Sequence, residues 1–223
     1  MNMDNKTLLA KVDHTLLGVT ATAEDYTQLC KEAAEYAVAS VCVPPSRVEF
    51  CVAQLSGKIP VCTVVGFPNG YMSSEAKAYE TEIAIKQGAT EIDMVIDIGR
   101  VKEKDFDYVL KDIKAVRAAC EGYILKVIIE TAHLTQEEKI TLCGIVSESG
   151  ADYIKTSTGF AGGGATFEDV ALMRKNVAPH VKVKAAGGIT TLEDGARFVE
   201  LGADRLGTSR IVKLVQGLEG SGY

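Results

Sequence analysis

The chain has 223 residues, of which 47% are hydrophobic and 24% are charged, so it is long enough to bury a large core and differs from disordered and collagen-like chains. The formal net charge of −6 gives no general attraction for phosphate backbones, so we expect no nucleic-acid partner. No apolar run has the length of a membrane span, and the acidic N-terminal stretch does not resemble a signal peptide. We therefore predict a cytoplasmic protein without a membrane partner.

Short β-branched runs alternate along the chain with longer amphipathic runs. Eight strands are predicted at residues 10–13, 40–43, 61–66, 91–97, 125–130, 153–156, 181–185 and 205–207. Eight helices are predicted at residues 23–39, 46–55, 74–87, 106–119, 136–149, 167–176, 192–201 and 211–218. Each predicted strand is thus followed by one helix, with no long linker.

Three of the predicted helices end alike. Gly88, Gly150 and Gly202 each precede the next strand by three residues, so each glycine is expected to take the left-handed C′ position of its helix. A capping box of Thr190 and Glu193 is predicted at another helix start. Helices that end and return in the same way indicate repeated βα units.

Eight such units favour a single α/β domain over residues 1–223, a (β/α)8 TIM barrel. A doubly wound parallel sheet has the same alternation, and periodicity alone does not exclude it. A barrel would place catalytic side chains at the carboxyl ends of its strands and would bind phosphate in the loops after the seventh and eighth strands.

The spacing of cysteines and histidines argues against a metal centre. None of the six cysteines forms a CxxC pair, and none of the three histidines lies at metal-ligand spacing from a cysteine. Several cysteines lie in apolar runs, where a free thiol packs as a small hydrophobic group. We predict reduced, structural cysteines and neither a metal ion nor an organic cofactor.

Lysine occurs inside predicted strands, although the strands of a parallel sheet are normally apolar on both faces. These residues are Lys126, Lys155, Lys182 and Lys184. Because strand side chains alternate, Lys182 and Lys184 share a face, and both would point into the barrel if the intervening valines face the helices. The alternative is that the lysines reach the rim or pair with nearby acids.

Lysines near the ends of neighbouring strands suit Schiff-base chemistry. A lysine attacks a carbonyl only as the free amine, so the pKa of such a lysine must fall from about 10.4 to about 7–8. A second ammonium group about 6 Å away, together with partial desolvation, supplies a shift of this size. Charge alone does not decide which lysine is the nucleophile and which is its activator.

Acids at strand ends are candidates for proton transfer. Asp93 and Asp97 have even spacing and are expected to share one face of the fourth strand. An inward Asp93 beside two ammonium groups would stay ionised and move protons through water. The alternative for Asp93 is a structural ion pair with Lys126 or Lys184. Asp13, at the end of the first strand, is a similar candidate.

Two glycine-containing segments are candidates for phosphate binding. Gly187 and Gly188 follow the seventh strand, and Gly207 to Ser209 follow the eighth, each just before a helix. Backbone N–H groups and a helix N-terminus would converge on an anion there. The segment 157–164, after the sixth strand, is a candidate lid over the ligand. The sequence contains neither the GxGxxG dinucleotide motif nor a P-loop.

Seven segments in chain order carry a resemblance to one enzyme family. They are residues 12–17, 64–68, 91–96, 125–131, 154–159, 183–189 and 205–209, and they include the motifs KTSTG and KAAGG. The sequence resembles the deoxyribose-phosphate aldolases, a class I aldolase family with a TIM-barrel fold, over nearly the whole chain.

The resemblance implies specific roles for these residues. Lys155 matches the Schiff-base lysine, Lys184 the second lysine that favours its free amine, and Asp93 the aspartate of the proton relay. Asp13 and Thr15 match positions near the substrate hydroxyls. Positions that match the phosphate site are Gly159, Gly187, Gly188 and Ser209, with Gly207 in the same loop as the serine.

Other positions are further candidate site residues or differ from the residues that some family members carry. Cys42 matches a cysteine that lines the site, and Lys126 is an additional lysine of the barrel interior. Phe160 stands where some family members carry a lysine that reaches the phosphate, so backbone amides and Arg210 would have to hold it here. Tyr223 matches a terminal tyrosine that enters the site in some relatives; the alternative is a frayed tail.

The resemblance implies reversible cleavage of 2-deoxy-D-ribose 5-phosphate to acetaldehyde and D-glyceraldehyde 3-phosphate, with sugar phosphates and aldehydes as partners and no cofactor. One alternative is a Schiff-base aldolase for another sugar phosphate. A second is a non-catalytic sugar-phosphate-binding barrel, which fits less well because passive binding does not need ammonium groups inside strands. Association as a homodimer or homotetramer stays open.

Overall fold

A computed structural model describes residues 3–218 of the chain, and its strands form a closed barrel in which each strand is hydrogen-bonded to the next in chain order. The strands are β1 (Val12–Thr15), β2 (Ser40–Val43), β3 (Val61–Val65), β4 (Glu91–Val95), β5 (Ile124–Ile128), β6 (Tyr153–Lys155), β7 (Lys182–Ala186) and β8 (Arg205–Thr208). All neighbours are parallel, and β8 pairs with β1. The predicted (β/α)8 TIM barrel is confirmed, because this closure excludes a doubly wound sheet.

Helices surround the barrel. They are α1 (Asn5–Leu9), α2 (Ala23–Tyr36), α3 (Val48–Leu55), α4 (Ser74–Lys86), α5 (Ile98–Lys102), α6 (Phe106–Ala119), α7 (Gln136–Glu148), α8 (Phe167–Asn176), α9 (Leu192–Glu200) and α10 (Ile211–Val215), with short 3-10 helices at Pro45–Arg47 and Thr131–His133. The sequence predicted eight of the ten α-helices and missed α1 and α5, each of which is only five residues long. No helix within residues 3–218 is long and apolar enough to cross a membrane.

The helix ends have the predicted capping residues, except that one capping box is displaced by one residue. Gly88, Gly150 and Gly202 have φ angles of 100°, 82° and 105°, as expected for left-handed C-terminal positions. The capping box of α9 lies one residue later than predicted. Thr191 accepts a hydrogen bond from the backbone of Asp194, and the Asp194 carboxylate accepts one from the backbone of Thr191.

The alternation of strand side chains separates an apolar layer from a charged interior. Ile92, Met94 and Val127 belong to the hydrophobic core that also includes side chains of the surrounding helices. Asp93, between Ile92 and Met94, and Lys126, just before Val127, are fully buried inside the barrel and are register partners across β4 and β5. The same strands therefore supply both the helix-packing core and the polar groups of the site.

Two predicted inward positions are wrong. Lys182 begins β7 but its side chain is exposed, with Nζ 5.5 Å from the centroid of the Tyr153 ring. Asp97 does not continue β4, which ends at Val95; it is the N-cap of α5 and accepts a hydrogen bond from the backbone N–H of Arg100 at 3.3 Å. Lys182 is exposed because it is the first residue of β7, at the amino end of the strand. Asp97 leaves the sheet because β4 ends two residues earlier than predicted.

Candidate active site

Three lysines converge on one aspartate inside the barrel. Lys155 Nζ lies 2.6 Å and Lys184 Nζ 2.7 Å from the same oxygen of Asp93, Oδ2. Lys126 Nζ lies 2.9 Å from the other oxygen, Oδ1. Lys184 also lies 2.5 Å from Asp13 Oδ2. All of these side chains are 4% exposed or less, so their charges interact with little screening by solvent.

Strand register explains why these residues meet. Lys155 on β6 is the register partner of Lys184 on β7, and Asp93 on β4 is the register partner of Lys126 on β5. Side chains at paired positions of neighbouring parallel strands point to the same face, here the barrel interior. The sequence prediction that Lys155, Lys184 and Asp93 lie together therefore matches their positions in the fold.

The surrounding charges fix the ionisation of these groups. Burial alone would raise the pKa of Asp93, but Lys126, Lys155 and Lys184 outweigh it and hold that pKa well below its usual range. Burial would also raise the pKa of Asp13, but the neighbouring lysines outweigh burial, and the pKa of Asp13 lies below its usual range. Burial opposes the charged form of Lys184, yet Asp13 and Asp93 raise its pKa above the usual lysine range. Lys184 thus stays an ammonium beside Lys155.

Two charged residues of the interior were not singled out as candidates from the sequence. Arg205 Nη1 lies 2.5 Å from Asp13 Oδ1 and 3.1 Å from Glu91 Oε2. Glu91 Oε2 lies 2.6 Å from Lys126 Nζ. Glu91 and Arg205 begin β4 and β8, and the even spacing of Glu91 from Asp93 was the available signal that Glu91 faces inward.

Two thiols complete this part of the interior. Cys42 and Cys62 are register partners on β2 and β3, and both are fully buried. Cys62 Sγ lies 3.2 Å from Asp93 Oδ1 and 3.2 Å from Lys126 Nζ. One donor atom each of Cys42, Cys62 and Asp93 lies within 4.8 Å of the others, a spacing that a metal ion could use. Since Asp93 already binds three ammonium groups, we assign its carboxylate to those lysines.

A narrow cleft opens onto the lysine cluster at the carboxyl ends of the strands. Its lining includes Thr15, Leu17, Lys155, Gly187 and Gly207. A Cβ atom built on Gly207 would lie 3.0 Å from Lys184 Cε, so a larger residue there would press on the lysine. The cleft is therefore the place where a small carbonyl compound can reach the Lys155 amine.

The loops after β6 and β7 touch backbone to backbone. A Cβ atom on Gly164 would lie 2.6 Å from the carbonyl carbon of Gly187 and 2.6 Å from the nitrogen of Gly188, closer than real contacts allow. Gly159, Gly187 and Gly188 have φ angles of 86°, 71° and 70°, which only glycine adopts readily. Gly187 also lines the cleft, so these loops lie beside it.

Glu130 is a third residue that was not among the candidate site residues from the sequence. It follows β5, is 3% exposed and has a left-handed φ of 53°. Its carboxylate oxygens accept hydrogen bonds from the backbone N–H of Thr158 at 3.1 and 3.3 Å. Thr158 lies three residues after Lys155, so Glu130 fixes the start of the loop that carries Gly159.

The remaining predicted residues lie around the cleft or outside the described part. Thr15 donates a hydrogen bond to the backbone oxygen of Asp13 at 2.7 Å. Ser209 lies just after β8 and lines a second cleft rather than the cleft at Lys155; its hydroxyl is buried without a hydrogen-bond partner among residues 3–218. Phe160 packs edge-on against Phe67, with ring centroids 5.3 Å apart. Tyr223 lies outside the described residues.

A second cleft lies outside the barrel wall. Its lining includes His14 and Glu32, whose Nε2 and Oε2 atoms lie 2.8 Å apart, and also the predicted site residues Thr15 and Ser209. The hydrogen bond between His14 and Glu32 lowers the pKa of Glu32. Because the lysine cluster faces the other side of β1, we place the active site at the barrel mouth and not in this second cleft.

Comparisons with known proteins show the family to which the chain belongs. A model of the DeoC/LacD family of aldolases matches residues 3–213. This chain belongs to that family. It is 55% identical over 214 residues, 96% of both chains, to deoxyribose-phosphate aldolases of Streptococcus pyogenes and Streptococcus agalactiae.

Solved structures of DeoC/LacD aldolases have the same fold. A Coccidioides immitis protein described as a deoxyribose-phosphate aldolase has a TM-score of 0.93 and 42% identity, with 97% of this chain and 87% of that chain covered. The tetrameric deoxyribose phosphate aldolase of Aeropyrum pernix has a TM-score of 0.88 and 29% identity, with 96% and 92% covered. The family and the arrangement of buried lysines identify this chain as a class I aldolase.

Proposed function

We propose that this aldolase reversibly cleaves 2-deoxy-D-ribose 5-phosphate to acetaldehyde and D-glyceraldehyde 3-phosphate, with Lys155 as the Schiff-base residue. The observation that carries the proposal is the contact of Lys155 and Lys184 with one oxygen of Asp93 at the base of an open cleft. A buried ammonium beside a lysine favours the free amine that attacks a carbonyl.

In the first step, the Lys155 amine adds to the C1 aldehyde of the open-chain sugar. The carbonyl oxygen takes up a proton, and loss of one water molecule from the carbinolamine gives an iminium ion. Asp93 is within hydrogen-bond distance of Lys155 and is held as a carboxylate, so it can accept a proton from the attacking nitrogen.

In the second step, the C2–C3 bond breaks. The hydroxyl on C3 gives up its proton through water to the Asp93 carboxylate beside the Lys184 ammonium, and the C3–O bond becomes the aldehyde of D-glyceraldehyde 3-phosphate. The two electrons of the C2–C3 bond move into the iminium ion and give an enamine. Protonation of the enamine at C2 and addition of water then release acetaldehyde and restore the Lys155 amine.

The phosphate is proposed to bind at the loops after β6, β7 and β8. Support comes from the positive φ angles of Gly159, Gly187 and Gly188, which lie in the loops beside the cleft, and from the buried hydroxyl of Ser209 in the loop after β8. Gly207 leaves room beside Lys184, and Asp13 and Thr15 are proposed to contact the sugar hydroxyls. Cys42 is proposed as lining rather than as a nucleophile.

The assembly and location of the enzyme are proposed from separate observations. The Aeropyrum pernix relative is described as tetrameric, and we propose that this chain also associates, as a homodimer or homotetramer. All six cysteines are free and buried, which supports a reducing compartment such as the cytoplasm.

Borohydride trapping tests the proposal. Treatment of the enzyme with 2-deoxy-D-ribose 5-phosphate and borohydride is expected to add a reduced sugar or an ethyl group to the peptide that contains Lys155, and Lys155→Ala is expected to abolish both adduct and turnover. A variant that keeps turnover would reject the mechanism. Release of acetaldehyde from a panel of other sugar phosphates, but not from this one, would favour the alternative substrate class.

Lys182→Ala is the matched control. Lys182 lies on β7 two residues before Lys184, but its side chain is exposed at the opposite end of the strand. The control variant is expected to retain turnover and the adduct on Lys155. Retained ligand binding by Lys155→Ala without turnover would separate an enzyme from a passive sugar-phosphate-binding protein.

A further inference from the structure

The ion-paired cluster inside the barrel contains more bases than acids. Its acids are Asp13, Glu91 and Asp93, and its bases are Lys126, Lys155, Lys184 and Arg205. No side chain of this cluster is more than 11% exposed. If every member were ionised, the cluster would carry one positive charge in excess in a region of low dielectric. Loss of one proton from a base makes the cluster neutral.

Three of the bases form a row across neighbouring strands. Lys155 pairs in register with Lys184, and Lys184 pairs in register with Arg205. Two strand spacings separate the ends of this row, on the order of 10 Å. Arg205 is therefore close enough to affect the charge of Lys155 without touching the cleft.

The ion pairs single out Lys155 as the base that loses a proton. Lys184 contacts both Asp13 and Asp93, while Lys155 pairs with Asp93 alone within residues 3–218. Lys126 contacts Glu91 and Asp93. An arginine side chain does not deprotonate in proteins. Lys155 is also the lysine of the cluster that lines the cleft.

The other titratable groups near Lys155 do not reverse this balance. Burial raises the pKa of the Cys62 thiol on β3, whereas the hydrogen bond with Cys62 lowers the pKa of the Cys42 thiol on β2. Both thiols are the same in every variant compared below. Tyr153 on β6 lies toward the Arg205 end, with the guanidinium 5.6 Å from its ring. Glu130 after β5 is bonded to the Thr158 amide and is the same in every variant compared below.

We propose that Glu91 and Arg205 set the protonation state of the Lys155 amine through the charge of the barrel interior. They are positioning residues, since they act on the nucleophile from the amino ends of β4 and β8 and do not line the cleft. The positive charge of Arg205 favours the free amine, and the negative charge of Glu91 favours the ammonium form. This inference rests on the proposed role of Lys155 as the nucleophile.

Two charge-removing variants test the inference by the direction of their effects. Arg205→Gln removes a positive charge and is expected to move the midpoint of Lys155 reactivity to higher pH, whereas Glu91→Gln is expected to move it to lower pH. Each shift should be about one pH unit, from Coulomb's law at an effective dielectric of about 20. Arg205→Lys keeps the charge and should restore the parent midpoint.

The readout is acetylation of Lys155 by trace acetic anhydride over a range of pH, measured by peptide mass spectrometry, beside the pH profile of kcat/KM. Both variants break the same ion pair, so a purely structural effect would move both labelling midpoints in the same direction. Midpoint shifts in the same direction, or no shift, would therefore overturn the inference. The labelling does not require an aldol substrate. If the proposed reaction is wrong, Lys155 would still be acetylated normally, but no borohydride adduct would form.

Lys139→Gln and Asp169→Asn provide controls. These residues form a 2.6 Å ion pair between α7 and α8, outside the barrel. Both changes are expected to leave the labelling midpoint within about 0.3 pH unit of the parent, since a distant, partly solvated charge acts weakly. If either Arg205→Gln or Glu91→Gln fails to fold, the remaining variant and Arg205→Lys still give a signed result.

Discussion

Lys155 and Lys184 face each other as register partners on β6 and β7, and both donate to the same oxygen of Asp93. The shared oxygen cannot neutralise two ammonium groups, so the pair is most stable when one nitrogen is uncharged. Lys184 has Asp13 as a second carboxylate partner, and Lys155 faces the cleft. The geometry thus distinguishes the activator from the nucleophile, which the charge pattern of the sequence did not.

Replacement of Lys184 by methionine is expected to lower kcat/KM at pH 7 by about 100-fold. Loss of a unit charge about 5 Å away at an effective dielectric of about 20 reduces the free-amine fraction of Lys155 by this order. Lys184→Arg keeps the charge and is expected to lose less than about tenfold. Steady-state kinetics measure both variants, and equal losses would show that charge is not the role of Lys184.

Stability is expected to fall in acid because of Asp13 and Asp93. The folded-state pKa values of both carboxyls lie below their usual range, since the buried lysines favour the ionised forms. Their stabilising contribution is fully present above the unfolded pKa of about 3.9 and is lost as pH falls toward the lower folded values. The free energy of unfolding in urea should therefore decrease progressively below about pH 5.

Asp93→Asn tests the origin of this acid dependence. The variant removes one of the two depressed carboxyls, so its unfolding free energy should change less between pH 6 and pH 3 than that of the parent, although it is lower at pH 7. Asp13→Asn provides the same comparison independently. If the unfolding free energy of both variants changes with pH as much as that of the parent, the acid sensitivity arises from other groups.

Gly164→Ala is expected to weaken phosphate binding. The added Cβ would overlap the backbone of Gly187 and Gly188, and separation of the two loops costs about 1–3 kcal/mol. KM for the phosphorylated sugar should rise about tenfold, corresponding to about 1.4 kcal/mol. Gly144→Ala in α7 is the control, because its Cβ meets nothing within 4 Å. Equal KM values for both variants would contradict a role of the loop contact.

Glu130→Ala is expected to raise KM for the phosphorylated sugar more than it lowers kcat. The variant leaves the Thr158 amide without its carboxylate acceptor, at a cost of about 1–3 kcal/mol, and releases the start of the loop. Glu130→Gln retains an oxygen acceptor and should restore most of the affinity. Loss of kcat alone, with KM unchanged, would point to a different role for Glu130.

Periodicity and helix-end chemistry favoured the barrel, and the pairing of β8 with β1 then excluded a doubly wound sheet. The strand over Ser40–Val43 and the helices Phe106–Ala119 and Phe167–Asn176 were predicted with their observed bounds. The errors concern short elements. α5 was missed because Asp97 was assigned to the preceding strand, whereas its side chain caps a five-residue helix. Local propensity does not decide between these two conformations when the apolar run is short.

The candidate site could be predicted only in part for a related reason. Lys155, Lys184 and Asp93 stand out because charge is unusual inside strands. Glu91 and Arg205 have the same property, but they begin their strands, where a charged residue is ordinarily solvated. Their burial follows from closure of the barrel, and this closure cannot be deduced from the order of the residues in the sequence. The Glu130 contact depends on a left-handed backbone at a non-glycine residue, which no sequence pattern indicates.

The pairing of β1 with β8 has a consequence for biosynthesis. Arg205 bonds to Asp13 across a separation of 192 residues, and β8 leaves the ribosome after the seven other strands. Until then, Asp13 and Glu91 lack their arginine partner, and β1 and β7 are unpaired sheet edges. The nascent chain therefore cannot complete its charged interior until β8 has been synthesised, and until then the open sheet edges are accessible to chaperones and to self-association.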